Sequence, residues 1–322
     1  MNKTRIKRDS AIDTARTLLV VGILAHHTAS GYMDEPLLHL QTQPYALFIN
    51  AYIHTLTKLC VPVFIMISGR FLIGRHEPLL VFYTKRVRRI AIPLITWSIL
   101  YSLYTNSPFV VYELITGTAY YHLWYVYMLA GLYAITPFIT YVLKLTNGTA
   151  ITFGAMLLIL GTLVHTVEIR SPYVLTFLLS GYYIMGYGLT KDYGRKIQPW
   201  LLVNIIVVIT TFNAFLLYIS YVTPYTFYFN SYVSPFVIIG SVSLYVLIGK
   251  LHLSRNIFTR LAPYTLGIYL VHSMVLEYLA NNFSVFNTPS WINTGVLIVL
   301  TFVSSLRIVA FLTRIPLLRR TV

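Results

Sequence analysis

The segment RDSAIDTARTLLVVGILAHHTASGY, residues 8–32, indicates what kind of protein this chain is. It begins with basic and acidic residues and continues as an apolar run long enough to cross a bilayer. Two adjacent histidines, His26 and His27, lie inside that run. An ionisable side chain at membrane depth costs a few kcal/mol, so both histidines are candidates for function.

The rest of the chain repeats this apolar character. Of its 322 residues 57% are hydrophobic and 10% charged, and the mean hydropathy is +0.70, more apolar surface than a soluble domain of this length can bury. The sequence predicts an all-α, polytopic integral membrane protein with about ten transmembrane helices. The predicted spans are 12–31, 45–73, 87–106, 123–143, 149–166, 172–190, 199–221, 232–249, 263–281 and 293–313.

The connections between these spans are short, which predicts a single transmembrane domain over 1–322 with no separate soluble domain. The first span follows a basic segment without a small-residue cleavage site, as in a retained signal anchor. The single cysteine, Cys60, lies within a span, which excludes an intramolecular disulfide and a thiolate metal cluster.

The formal charge of +15 follows the membrane topology. Lysine and arginine are concentrated in the N-terminal segment, the even-numbered connections and the C-terminal segment, whereas the odd-numbered connections contain only Arg170. The positive-inside rule therefore places both termini in the cytoplasm, and we expect membrane lipids rather than nucleic acid as the partners of this charge.

Arg16 and His27 are eleven residues apart in the first span. In an α-helix this spacing is about three turns plus 20° and a rise of about 16 Å, so the two side chains share a face, while His26 points about 80° away. Asp13 is one turn from Arg16. A neutral, hydrogen-bonded pair of histidines inside the bundle is the structural alternative.

Two further segments lie towards the cytoplasmic side. VPVFIMISGRFL, residues 61–72, contains Pro62, which kinks a helix, and Ser68-Gly69, which permits a backbone or a ligand to approach closely. TKRVRRIAIPLITW, residues 84–97, gathers four cations, among them Arg86 and Arg89, that suit phosphate oxygens. Helix packing and lipid headgroups are the ordinary explanations of these two segments.

Candidate substrate groups lie towards the outer side. YYHLWYVYML, residues 120–129, and LGIYLVHSMVLEYL, residues 266–279, carry polar groups that an interfacial aromatic belt does not require. Packing within the bundle is the alternative for each. The candidates are Glu113, His122, Trp124, Tyr269, His272 and Glu277. We find no phosphate-binding loop, dinucleotide motif, nucleophile elbow or metal-ligand spacing, so no metal is predicted.

Together these segments resemble the membrane-bound acyltransferase-3 family, ten-helix enzymes that acylate bacterial glycans. Arg16 and His27, the segment ending in Ser68-Gly69, the Arg86-x-x-Arg89 pattern and the segments YHLWYVYML and LGIYLVH match its recurrent motifs in order. In plan the chain resembles short stand-alone members, and YHLWYVYMLAGLYAITPFI is similar to the corresponding segment of those that O-acetylate enterobacterial common antigen. It departs from the pattern at His26 and at Arg70, where members often have an apolar residue.

The resemblance implies O-acetyl transfer from acetyl-CoA to a cell-surface or lipid-linked glycan, in the cytoplasmic membrane of a bacterium. Arg16, Ser68, Gly69, Arg86 and Arg89 are then expected to hold the donor. His27, with Arg16, is expected to carry the chemistry, either as a base or as a transient acyl carrier. A transporter or flippase for a glycan precursor, with the histidines in a proton relay, is the rival hypothesis.

Overall fold

The computed structural model describes residues 9–32, 44–164, 172–189, 196–223, 231–283 and 290–322, and all regular secondary structure in them is helical. The all-α prediction is confirmed for this part of the chain. The helices are α1 Ser10–Gly31, α2 Pro44–Thr57, α3 Cys60–Leu72, α4 Leu79–Arg86, α5 Ile92–Tyr104, α6 Val110–Thr116, α7 Trp124–Phe138, α8 Asn147–Val164, α9 Pro172–Gly188, α10 Pro199–Val222, α11 Pro235–Lys250, α12 Ile257–Leu261, α13 Thr265–Asn282 and α14 Trp291–Leu312.

The sequence explains where several of these helices begin. Asp9 caps α1, since its side chain accepts a hydrogen bond from the backbone N–H of Ala11 at 3.2 Å. Proline is the first residue of four other helices. The N–H of a first residue has no partner within the helix, so a proline there costs no hydrogen bond. These residues are Pro44, Pro172, Pro199 and Pro235.

A helix lies in each of the ten predicted spans, although the bounds differ. Within the described ranges five segments are both long and apolar enough to cross a membrane: Tyr45–Leu72, Trp124–Leu143, Asn147–Val164, Pro199–Val222 and Trp291–Leu312. The helix in the predicted span 232–249 has only 16 residues, from Pro235 to Lys250. Ten crossings and cytoplasmic termini therefore remain predictions.

The predicted span 45–73 is divided into α2 and α3 by a break at Lys58 and Leu59. Pro62, in the first turn of α3, has no N–H to donate to the carbonyl of Lys58, four residues earlier. The helix is thus interrupted at the carbonyl that Pro62 cannot use, one turn before the proline itself.

Two π-helical turns continue other helices, and each lies beside a proline. Val87–Ala91 joins α4 to α5 next to Pro93, and Ile139–Leu143 extends α7 after Pro137. The predicted span 87–106 is consequently the second part of a continuous helical stretch that starts at Leu79. The first π turn carries Arg89 and directly follows Arg86, and such turns are frequent at functional sites.

The core of the bundle is closely packed around α3 and α9. A Cβ atom added to Gly69 would lie 1.8 Å from the carbonyl oxygen of Tyr183, and one added to Gly186 would lie 2.1 Å from that of Met66. The backbones of α3 and α9 are therefore in direct contact, which small residues allow between membrane helices. The buried cluster continues from these helices into α1, α5, α7 and α13.

Candidate functional site

A cavity of about 560 Å³ opens near the first residues of α1 and extends between α1, α3, α7 and α13. We call it the basic cavity, because five of its lining residues are cations. Four of the five residues predicted to bind the donor line it: Arg16, Ser68, Arg86 and Arg89. Its inner part is apolar and aromatic, with Val20, Ile23, Phe64, Leu129 and Tyr269 in its wall.

The charges of the basic cavity are only partly paired. Arg16 and Arg89 make no hydrogen bond or ion pair among the described residues, although each is close enough to repel the other. One carboxylate oxygen of Asp13 is buried without a hydrogen-bond partner in the same part of the chain. Unpaired guanidinium groups that face an open cavity suit an anionic ligand.

Glu77 holds the remaining cations of the cavity. Its carboxylate accepts from Arg86 at 3.0 Å and from Lys85 at 3.2 Å, and Arg75 lies 3.9 Å from its second oxygen. Partial burial acts to raise the pKa of Glu77, but the hydrogen bonds from Arg86 and Lys85 outweigh it and hold that pKa below its usual value. Glu77 is therefore ionised at neutral pH.

His27 lies beyond the inner end of the basic cavity, in a second and much smaller cavity. Ile23 and Tyr269 line both cavities and form a wall that the two share. His26, Thr57, Trp124 and Tyr232 complete the small cavity with Val61. Within the described structure His27 makes no hydrogen bond, which leaves both ring nitrogens available to a substrate.

Five histidines form a continuous chain of ring contacts through His27. The successive centroid distances along His54, His26, His27, His272 and His122 are 4.1, 5.5, 5.2 and 5.0 Å. The described part of the chain contains no group of three His, Cys, Asp or Glu residues arranged to hold a metal ion.

Backbone carbonyls fix two neighbours of His27. Nδ1 of His26 lies 3.1 Å from the carbonyl oxygen of His54, and Nδ1 of His272 contacts that of Tyr269. Since a carbonyl oxygen only accepts, we assign the proton to Nδ1 in both rings. Nε2 of His272 then accepts from the hydroxyl of Ser273 at 3.2 Å. His26, the departure from the family pattern, is therefore a tie between α1 and α2.

The predicted substrate residues are placed in different ways. His122 is fully buried, and neither ring nitrogen makes a hydrogen bond of standard geometry. Trp124 and Tyr269 line the small cavity, and the hydroxyl of Tyr269 donates to the carbonyl of His122. Glu277 accepts from Tyr104 and Tyr120.

Glu113 and Gly69 are engaged elsewhere in the fold. Each oxygen of Glu113 accepts from a serine, Ser102 at 2.6 Å and Ser107 at 2.7 Å, which ties the connection after α5 together. Gly69 does not line the basic cavity, because its open side is filled by the backbone of Tyr183. The close approach that Ser68-Gly69 predicts is made by a neighbouring helix, while Ser68 alone faces the cavity.

Sequence reasoning missed His54 and Lys58. Both lie inside the predicted span 45–73, so the rule that singled out His26 and His27 applies to them equally. Lys58 is at the helix break, and its ammonium group lies 5.2 Å from the ring centre of Tyr232. It forms no ion pair with the carboxylates that the structure describes.

Comparison with known proteins identifies the family of the chain. The sequence model of the acyltransferase domain of the acyltransferase-3 family matches residues 9–310, nearly the whole chain. No curated protein matches the chain significantly, and no solved structure does. The match includes α1 with Arg16 and His27, the π turn with Arg89, and α13 with His272. The chain therefore belongs to the acyltransferase-3 family and is a membrane acyltransferase.

Proposed function

We propose that this protein is an O-acetyltransferase that moves an acetyl group from cytoplasmic acetyl-CoA to a hydroxyl of a cell-surface or lipid-linked glycan. The acceptor is reached from the outer side of a bacterial cytoplasmic membrane, which the chain crosses ten times with both termini in the cytoplasm. One observation carries the proposal: the basic cavity ends at the wall that it shares with the cavity of His27.

The basic cavity suits the two parts of acetyl-CoA. The phosphates would contact Arg16 and Arg89, which are unpaired and lie near the opening. Arg86 could bind a phosphate oxygen in place of the carboxylate of Glu77. The apolar inner wall suits the pantetheine arm. Because Arg16 and His27 share a face about 16 Å apart along α1, an arm that follows the helix brings the thioester towards His27.

The reaction requires one base beside the thioester. A neutral His27 nitrogen takes the proton of the acceptor hydroxyl, the oxygen bonds to the acetyl carbon, and the C–S bond breaks. The imidazolium then returns the proton to the CoA thiolate, so atoms and charge balance. In the other route a nitrogen of neutral His27 bonds to the acetyl carbon, the C–S bond breaks, and the CoA thiolate leaves with the imidazole proton. The acceptor oxygen then bonds to the acetyl carbon of the acyl-imidazole, the C–N bond breaks, and the hydroxyl proton returns to the ring.

The first test uses purified protein in liposomes with acetyl-labelled CoA and a glycan acceptor. We expect His27→Ala to reduce CoA release and glycan labelling by about a hundredfold or more, the usual contribution of a general base. His26→Ala is the matched control and loses far less. Wild-type protein that never turns over acetyl-CoA would contradict the proposal and favour the transporter.

The two chemical routes differ when the glycan is left out. An acyl-imidazole route gives a burst of CoA equal to the amount of enzyme, and the label stays on the protein. Direct transfer gives neither. The similarity to enzymes that act on enterobacterial common antigen makes a lipid-linked polysaccharide repeat the first acceptor class to supply.

The donor site has its own test, with Arg88 as the matched control. Arg88 lies in the same π turn as Arg89 and is exposed like it, but it does not line the basic cavity. We expect Arg86→Ala with Arg89→Ala to raise the KM for acetyl-CoA by more than about tenfold, since charge-assisted hydrogen bonds contribute about 1.5–3 kcal/mol each. An unchanged KM, or an equal rise in Arg88→Ala, would refute the phosphate contacts.

A further inference from the structure

A group of tyrosines lies around Glu277, at the end of α5 and α13 farthest from the basic cavity. We call Tyr104, Tyr120, Tyr121 and Glu277 the tyrosine rim. The hydroxyl of Tyr104 donates to Glu277 at 3.3 Å, and that of Tyr120 donates to the other carboxylate oxygen. Tyr120 also stacks on Tyr101, with ring centroids 4.2 Å apart and planes at 24°. The rim is therefore built and held in place.

Tyr121 connects this rim to His27, the residue proposed to carry the chemistry. Its ring is 4.9 Å from that of Tyr120 and 5.2 Å from that of His27. Three described side chains make ring contacts with His27, namely His26, Tyr121 and His272. Of these only Tyr121 is exposed, with 49% of its surface accessible. A molecule arriving at this end meets Tyr121 before it meets His27.

Glu277 retains hydrogen-bonding capacity. A carboxylate offers about four acceptor positions, and two tyrosine hydroxyls use only two of them. The stretch 105–123, which carries Tyr120 and Tyr121, contains no lysine or arginine. The rim therefore offers flat aromatic faces, hydroxyl groups and a negative charge.

We propose that the tyrosine rim is the acceptor subsite and that it takes an uncharged pyranose unit. The sugar stacks on Tyr121, donates hydroxyl hydrogen bonds to Glu277 and turns the reacting hydroxyl towards His27. A tyrosine has a flat apolar ring and a polar hydroxyl. The ring suits the apolar C–H face of a pyranose, and the polar groups suit its hydroxyls. The inference rests on the proposed O-acetyl transfer and specifies its substrate.

The charge of the rim excludes other acceptors. A uronic acid or a phosphorylated sugar at this position brings a second negative charge beside Glu277, with no cation in 105–123 to compensate it. Like charges at close range disfavour such a complex. An uncharged sugar meets no such repulsion and uses the free acceptor positions of the carboxylate.

The test measures acetyl transfer to two soluble probes, 4-nitrophenyl glucopyranoside and 4-nitrophenyl glucuronide, by full-length protein in liposomes. We expect the wild type to prefer the glucopyranoside. Tyr121→Ala should raise its KM about three- to tenfold, the factor that aromatic contacts of this kind contribute, and Tyr121→Trp should restore it. Glu277→Gln should raise the KM for the glucopyranoside and lower that for the glucuronide.

The matched control is Tyr112→Ala, since Tyr112 is 66% exposed in the same connection and belongs to α6. It should leave the KM for the glucopyranoside at the wild-type value. The Kd for CoA, measured in the same preparations, should be equal in all variants and shows that they are folded.

Three results would overturn the subsite: an unchanged KM in Tyr121→Ala, an equal rise in Tyr112→Ala, or a wild type that prefers the glucuronide. In each case acetyl transfer itself persists. A wild type that transfers no acetyl group to any hydroxyl contradicts the proposed function instead, so the two failures are distinguishable.

Discussion

At the scale of single residues, Glu77 is the described carboxylate that pairs with three cations of the basic cavity, Arg75, Lys85 and Arg86. Its pKa lies below the ordinary carboxyl value of 4.5 because Arg86 and Lys85 donate to it. A depressed folded-state pKa stabilises the protein above the unfolded-state value, and this stability is lost as the pH falls through the folded-state value.

We therefore expect Glu77→Gln to lower the thermal stability at pH 7 by a small amount, corresponding to at most about 1 kcal/mol for a partly exposed ion pair. The difference from wild type should shrink as the pH falls through 4.5 and below. Thermal unfolding in detergent between pH 7 and pH 3 measures it. A difference that is independent of pH would mean that Glu77 acts through packing rather than charge.

Lys58 presents the opposite situation, a cation in a predicted span that no described carboxylate neutralises. Lys58→Met keeps the length of the side chain and removes a charge that costs about 2.5–3.5 kcal/mol at the centre of a membrane helix. We expect the variant to be at least as stable to heat as the wild type. A clear loss of stability would show that the cation–π contact with Tyr232 outweighs the cost of burial.

At the scale of elements, the contact between α3 and α9 fixes the wall of the basic cavity that carries Ser68. Gly69→Ala places a methyl group 1.8 Å from a backbone oxygen, so helices must separate. We expect a loss of about 1–3 kcal/mol, as overpacking of a core costs, and a higher KM for acetyl-CoA. Protein yield, thermal unfolding and donor kinetics measure these effects.

Gly249 provides the control for that variant, because a Cβ atom added there meets nothing within 4 Å. Gly249→Ala should be neutral or stabilising by up to about 1 kcal/mol, the difference in helix propensity. Equal losses in the two variants would show that the backbone contact is unimportant.

At the scale of the whole molecule, the single Cys60 makes the predicted membrane topology easy to test. Because Cys60 is the single cysteine of the chain, replacing it by serine gives a background without thiols. Thr118→Cys and Thr146→Cys then report opposite ends of the bundle. In intact cells a membrane-impermeant thiol reagent should label Thr118→Cys alone, and disruption of the membrane should expose both. Labelling of Thr146→Cys in intact cells would reverse the orientation.

Sequence alone predicts what local periodicity encodes. Spacing and residue type are enough to predict the all-helical architecture, the common face of Arg16 and His27, and the helix break before Pro62. Three other features depend on contacts between distant segments: the wall between the two cavities, the hydrogen bond of His26 to the carbonyl of His54, and the packing of the Tyr183 backbone against Gly69. Tyr121 is a further case, since among 27 tyrosines only its contact with His27 distinguishes it.

The shared wall of Ile23 and Tyr269 has a consequence for the cell as well as for the reaction. If the basic cavity faces the cytoplasm and the small cavity the outer side, two side chains are part of the electrical insulation of the membrane. In the proposed reaction the transferred acetyl group passes them while ions do not. Removing one of these side chains, as in Ile23→Gly, would open a path for protons and dissipate the proton gradient. Catalysis and the permeability barrier of the membrane therefore constrain the same two positions.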